Sequence, residues 1–263
     1  MEVLIERHHE ELELVVTSNV ERPQRGGVVK QARENMRRSG RSFIGYLLLS
    51  FPLYEAWLGY DRIQARIPGR DRRRFGVAEL CARHGIKHLE TDDINGREVI
   101  DALKDQGVDL ITIYWFDQIF RQPVLDIPSQ GVVNFHAARL PQCRGLFPVL
   151  FSAAENEGRF GLTAHDVVDE TIDTGPILGQ IEVAKGATTI LGQDDLVNRA
   201  GTDLYSEVIA DLDKCRRNAR PQAGGSYFSY PTRSQIERCK QQGFLLACWR
   251  DFLRVVTSPV SSK

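Results

Sequence analysis

Asn134 and His136 stand two residues apart at the end of the run Gly131-Val132-Val133-Asn134-Phe135-His136. In a strand, side chains at i and i+2 share a face, so an amide and an imidazole would project into the same space. That pair suits acyl transfer. The amide can hydrogen-bond the oxyanion of a tetrahedral intermediate, and the imidazole can move a proton near neutral pH. Asp173 lies in a loop that ends at Gly175, where it can orient the imidazole or accept the proton of an attacking amine. A serine or cysteine nucleophile has no comparable setting: there is no Gly-x-Ser-x-Gly, and Cys143 stands in no distinctive context. By spacing alone, the histidine fits a structural hydrogen-bonding role as well as a chemical one.

The elements that must position these residues follow from the hydrophobic pattern. From about residue 75 the chain alternates helix and strand as an α/β protein does. Helices are expected at 76–84 and 95–106, closed by Gly85 and Gly107, with a short strand at 86–89. Val108–Trp115 is a continuous β-branched run of the kind that fills a central parallel strand. Strands follow at 131–136, 160–168 and 176–183, with a helix at 146–156. Thr189 is placed to cap one long helix to about Arg217, and a last helix spans 232–242. In an open parallel sheet the carboxyl ends of the strands line the ligand crevice, which is where Asn134 and His136 fall.

The stretch 131–180 resembles the formyltransferases that use 10-formyltetrahydrofolate, a family acting on methionyl-tRNA, glycinamide ribonucleotide and nucleotide-sugar amines. The likeness is carried by Asn134-Phe135-His136-Ala137-Ala138-Arg139-Leu140-Pro141-Gln142-Cys143-Arg144-Gly145 and by Asp169-Glu170-Thr171-Ile172-Asp173-Thr174-Gly175-Pro176-Ile177. It is closest over about 108–185 and looser to about 215. The resemblance implies an open, mostly parallel Rossmann-like sheet and a catalytic trio of Asn134, His136 and Asp173. It also implies a folate site that includes Tyr114, Trp115, Phe116, Asp169, Thr174 and Gly175. The implied reaction moves a formyl group to a primary amine of a small, nucleotide-linked metabolite such as an amino sugar, with no metal. Ala138 stands where the family often has Ser. Arg139 replaces a usually apolar residue, which makes it a candidate substrate contact or a surface change.

The front of the chain departs most. Leu12–Ser18 reads as an early strand, but the opening strand and glycine-rich turn of a doubly wound fold are not found there. Residues 22–74 hold 13 Arg/Lys against 4 Asp/Glu, while the whole chain has a net charge of −1. Arg37, Arg38 and Arg41, then Arg70, Arg72, Arg73 and Arg74, form either a solvated basic face or an anion site. The apolar run Phe43–Tyr60 is interrupted by Pro52 and Glu55, so a buried or dimer-forming helix pair is expected rather than a membrane span. Residues 1–220 are therefore expected as a catalytic domain carrying a helical insertion at 22–74, and 221–263 as a short helical extension. In that extension, Tyr227, Phe228 and Tyr230 are expected to pack as a flap over the sheet.

The five scattered cysteines and the acidic start point to a cytoplasmic protein without disulfides or a signal peptide. His8-His9 is expected on a solvated terminus rather than at a metal, and His165 in a core or supporting role. Other partners follow less readily. Nothing in the average charge favours nucleic acid, and the tail is shorter than the domain with which methionyl-tRNA formyltransferases hold RNA. Three rivals remain open: a 10-formyltetrahydrofolate hydrolase, a methionyl-tRNA formyltransferase kept alive by the basic insertion, and an inactive folate-binding or truncated homologue.

Overall fold

A computed structural model describes residues 1–19, 27–64, 66–67 and 75–257, with only the backbone of Val28 and of 255–257. Arg70, Arg72, Arg73 and Arg74 of the basic segment lie outside the described residues. The elements in order are α1 (Glu2–His8), β1 (Leu14–Ser18), α2 (Gly27–Ser39), α3 (Arg41–Ser50), α4 (Pro52–Gln64), α5 (Val77–His84), β2 (Lys87–Thr91), α6 (Arg97–Asp105), β3 (Ile111–Tyr114) and β4 (Val132–His136). There follow β5 (Arg144–Gly145), α7 (Pro148–Glu155), β6 (Phe160–Asp166), β7 (Ile177–Val183), α8 (Ile190–Ala210), α9 (Leu212–Arg217), β8 (Tyr227–Phe228), α10 (Arg233–Gln241) and α11 (Trp249–Thr257).

The fold is α/β, and its central sheet is mixed. The four-strand order is β3-β4-β6-β7, with β3 and β4 parallel and β4, β6 and β7 successively antiparallel. A sheet parallel for most of its width was the expectation. The reversal comes at β6, which enters from α7 pointing back along β4 and leads through the connection 167–176 into antiparallel β7. An early strand does exist: β1 pairs in parallel with β2, register Leu14 to Lys87. Its end is tied toward β3, because Ser18 Oγ donates to Asp117 at 2.9 Å and accepts from Gln118 Nε2 at 3.0 Å.

Among the described residues, three apolar clusters hold these layers together. The largest joins β4 and β6 to α7, α8 and α10 through Phe135, Phe151, Phe160, Leu162 and Phe244. Phe43 and Tyr46 of α3 and Ile236 and Phe252 of the C-terminal helices are buried in this same cluster. The insertion and the extension thus share the core rather than standing off it. Phe228 of β8 stacks on Phe151 at 4.3 Å, while Tyr227 stays exposed.

Local sequence explains the remaining differences. Phe43–Tyr60 becomes two helices because Pro52, lacking an N–H, starts α4 after the break at Phe51. Among the described residues, no helix is long and apolar enough to cross a membrane. The long helix after Thr189 breaks at Asp211, whose carboxylate accepts from the Lys214 amide at 3.2 Å and caps a separate α9. Strand β3 is shorter than its apolar run, since Asp109 is bracketed by Gln130 through backbone and side chain instead of joining a ladder. His8 and His9 are half-buried rather than solvated: His8 Nε2 lies 2.8 Å from Ser206 Oγ on α8, and the His9 ring lies 4.3 Å from that of His84. Among the described residues, no group of three or more His, Cys, Asp or Glu could hold a metal.

Candidate functional site

Strand β4 supplies two of the three expected residues. Asn134 and His136 share one face, while Val133 and Phe135 point the other way into the main cluster. The antiparallel register sets His165 of β6 opposite Asn134, and Thr163 opposite His136. The ten-residue connection between β6 and β7 then folds back over this face and delivers Asp173. Asp173 has φ +54°, a left-handed backbone that Asp tolerates better than most side chains.

The Asp173 carboxylate is the hub. Oδ1 accepts from Asn134 Nδ2 at 2.9 Å and lies 3.4 Å from His165 Nε2. Oδ2 accepts from the Gly145 amide at 2.8 Å and faces His136 Nδ1 at 3.5 Å. Burial pushes the carboxyl's pKa up. The charge of His136 and the hydrogen bond from the Gly145 amide pull it the other way, and it ends well below the usual carboxylate range. Asp173 is thus an ionised, buried carboxylate with donors on both oxygens.

Each partner is itself fixed. His136 Nε2 donates to the Cys143 carbonyl at 2.8 Å, which leaves Nδ1 for Asp173. The segment 141–146 is strapped to the C-terminal extension: Cys143 N donates to Ser226 Oγ at 2.9 Å, and Arg144 N to the Ser226 carbonyl at 2.9 Å. Gly145 has φ +97°, and a Cβ there would stand 2.0 Å from the Phe228 carbonyl, so only glycine brings this amide to Asp173. Gln222 braces the other loop, donating to the carbonyls of Gly175 at 2.6 Å and Asp173 at 3.2 Å. Left-handed Trp115, Cys143, Phe147 and Asp173 all lie in the segments that build or adjoin the site.

The other expected residues divide. Gly175 packs against β6 so closely that a Cβ would sit 1.8 Å from the Asp166 carbonyl. Thr174 hydrogen-bonds Thr171, whose amide donates to Asp169 Oδ1 at 2.8 Å. Asp169 is exposed, and its hydrogen bonds from Thr171 lower its pKa. Trp115 is 54% exposed just past β3, and Phe116 packs edge-on to Phe120 at 5.6 Å.

Tyr114 does not join them. It pairs in register with Phe135, so its side chain lies on the face opposite Asn134 and His136, where its hydroxyl donates to the Asn198 carbonyl at 3.1 Å. Arg139 also stands apart. Its stem covers Gly161 and its guanidinium pairs with Glu182 at 3.1 Å, four residues along β6 from His165, or about 13 Å. Gly145 and Gln222 are structural contributors that residue type alone did not single out, while His165, expected in a core or supporting role, lies beside Asn134 and Asp173. The only signal for His165 was its place on a strand expected to lie beside the chemistry.

A family model described as formyl transferase matches residues 64–205, more than half of the 263-residue chain. The chain belongs to the formyl transferase family. The match runs from the end of α4 to α8 and takes in Asn134, His136, His165 and Asp173. The chain is 32% identical over 155 residues to the methionyl-tRNA formyltransferase of Halothermothrix orenii, covering 59% of this chain and 48% of that one. It is 32% identical over 137 residues to the methionyl-tRNA formyltransferase of Bacillus subtilis, covering 52% and 43%. It thus spans about half the length of the curated relatives it matches. Among solved structures it is similar to a phosphoribosylglycinamide formyltransferase from Streptococcus pneumoniae, with 24% identity, TM-score 0.47, and coverage of 58% of this chain and 91% of that chain. A 4-N formyltransferase from Francisella tularensis is also similar, with 26% identity, TM-score 0.46, and coverage of 58% and 60%.

Proposed function

We propose that this formyl transferase family member moves a formyl group from 10-formyltetrahydrofolate to a primary amine. The observation that carries this reading is the ionised Asp173 held by Asn134, His136 and Gly145 within one family-matched segment. Attack of the neutral amine on the formyl carbon makes the new C–N bond, and the bond from that carbon to the folate nitrogen breaks. The amine loses a proton and the folate nitrogen gains one, so the site needs a proton carrier and a group that favours the developing charge. Asp173 holds His136 and an ordered water in place and so assists deprotonation of the amine. His136, fixed between the Cys143 carbonyl and Asp173, stabilises charge and returns the proton. Asn134 holds the reacting oxygen by its amide once a hydrogen is turned from its present partners.

Exposed Trp115 and the adjoining Phe116 offer flat apolar surface for the pterin. Thr174 and the glycine-tight turn at Gly175 bring backbone close enough to shape its other side. Asp169 sits at the solvent end of the same loop. The acceptor is a small, phosphate-bearing amine such as a nucleotide-linked amino sugar. A second reading, methionyl-tRNA as acceptor, is favoured by the 32% identity to enzymes of that name.

Consumption of 10-formyltetrahydrofolate, measured with and without acceptors and beside His136→Ala, tests the proposal. Turnover that requires an amino-sugar nucleotide and is lost in the variant is the expected result. Turnover requiring methionyl-tRNA installs the second reading, and turnover without any amine makes the protein a hydrolase. No turnover and no folate binding refutes all three.

A further inference from the structure

Three polar atoms meet behind the trio: Asn134 Nδ2, Asp173 Oδ1 and His165 Nε2, separated by 2.9, 3.1 and 3.4 Å. They cannot all satisfy one another in an arbitrary protonation state. The other ring nitrogen decides the matter. His165 Nδ1 lies 2.9 Å from the Asp166 carbonyl, which only accepts, so Nδ1 carries a hydrogen. In a neutral ring Nε2 then has a lone pair, and among the described residues the neighbour that can donate to it is the Asn134 amide. A proton on Nε2 would reverse this, turning the ring from Asn134 toward Asp173.

We propose that His165 is a positioning residue for the formyl-transfer site. With its hydrogen on Nδ1, it accepts from the Asn134 amide at Nε2 and holds that amide in the rotamer that points its nitrogen at Asp173. The inference rests on the reading above that Asn134 and Asp173 carry the chemistry. A flipped Asn134 would set its oxygen against both the carboxylate and the imidazole lone pair, and His165 removes that alternative.

The imidazole is well placed for such a role. It is 1% exposed, locked by the β6 backbone on one side and by the Asp173 loop on the other. The groups facing it are Asn134 from β4, Asp173 from the loop with His136 beyond it, and Asp166 on its own strand, whose charge is taken by Arg216 of α9 at 2.7 Å. None of them supplies a second acceptor for the Asn134 amide at the position of Nε2.

Two measurements test this. The first needs no turnover: nitrogen NMR of the histidine rings in the full chain near neutral pH. A protonated Nδ1 and an unprotonated Nε2 at His165 are expected; a proton on Nε2 overturns the proposal. The second compares His165→Gln, whose side-chain oxygen can reach the place of Nε2, with His165→Phe, which fills the space without an acceptor. The Gln variant should keep kcat within a few-fold. The Phe variant should lose roughly 10- to 100-fold, the cost typical of removing a partner that orients a ligating side chain. Its KM for 10-formyltetrahydrofolate should stay within about twofold.

Equal losses in the two variants overturn the assignment. If the Phe variant does not fold, the NMR result decides. Absence of wild-type turnover would overturn the function proposed above but not an observed Nδ1 proton on His165.

Discussion

A single methyl group added at Gly175 tests whether the loop carrying Asp173 is held by contact with β6. In Gly175→Ala the new Cβ would lie 1.8 Å from the Asp166 carbonyl oxygen and 2.8 Å from its carbon, where ordinary contact begins at 3.4 Å. The gap must open by about 1.6 Å. The carbonyl is poorly placed to yield, because it accepts from His165 Nδ1 and because the Asp166 amide is paired with the Pro176 carbonyl at 3.0 Å. The loop must therefore yield, and Asp173 sits two residues from the inserted methyl. Misplacing a reacting group by about 1 Å costs on the order of 10²-fold in rate. Overpacking at a site that cannot relax costs about 1–3 kcal/mol, which in a chain of this size lowers Tm by roughly 2–10 °C.

The assay pairs formyl transfer with a thermal melt, and Gly179→Ala serves as the control. There the added Cβ meets Leu204 Cδ1 at 2.9 Å, the end of a flexible side chain on the α8 face. The control should lose stability while keeping most of its activity. Gly175→Ala should lose activity out of proportion to its stability. Wild-type kcat with an unchanged melt in Gly175→Ala would refute the idea that this close approach sets the position of Asp173.

Two further outcomes follow from buried carboxyls. Asp194 on α8 is buried near Tyr46 and Tyr114, and burial, aided by Asp195, pushes its pKa up to about 8. A raised acid destabilises the fold as pH rises from about 4 toward 8, by up to about 1.4 kcal/mol per pH unit. Asp194→Asn should therefore be the more stable protein at pH 8 and lose that advantage near pH 4 in parallel urea titrations; an advantage independent of pH would contradict this. Asp173 is shifted the other way. Its charge stabilises the fold above the unfolded-state value near 4, and that contribution is lost as pH falls. The stability gap between wild type and Asp173→Asn should narrow below about pH 4 in the same titrations, and a gap that widened there would count against the network around Asp173.

The strands that carry the site were legible because their apolar runs are bounded by glycines. Gly131 opens β4, and Gly175 precedes β7. That Asn134, His136 and Asp173 come together was legible because they sit in a recognisable text. The supporting geometry was not, for reasons that are physical. Whether Tyr114 faces the site depends on its pairing with Phe135, and a strand pattern buried on both faces carries no sign of which face is which. His165 becomes a neighbour of Asn134 only because β6 runs antiparallel to β4, and the sequence between them does not state a direction. Gln222 and Ser226 brace loops that end 47 and 83 residues earlier in the chain. Local propensity has no access to contacts of that range. The break at Asp211 is the contrary case: a strong local capping signal lay inside a periodic helix, and the period masked it.

The reversal of the sheet at β6 explains why the site needs so much bracing. On the β3 side, the ends of two parallel strands place Trp115 and His136 at one rim, as an open α/β crevice requires. On the β6 side the strand end lies at the wrong level: Asp166 is opposite Val133, below Asn134. A tight hairpin there would have left no carboxylate beside His136. The connection instead runs ten residues back over the sheet face, and its carboxylate is fixed by donors from β4, β6 and the Gly145 turn. Precision that parallel strand ends would supply by themselves is thus transferred to left-handed backbones, two close-packed glycines and an imidazole. The residues around the trio should accordingly tolerate substitution less well than their distance from any substrate would suggest.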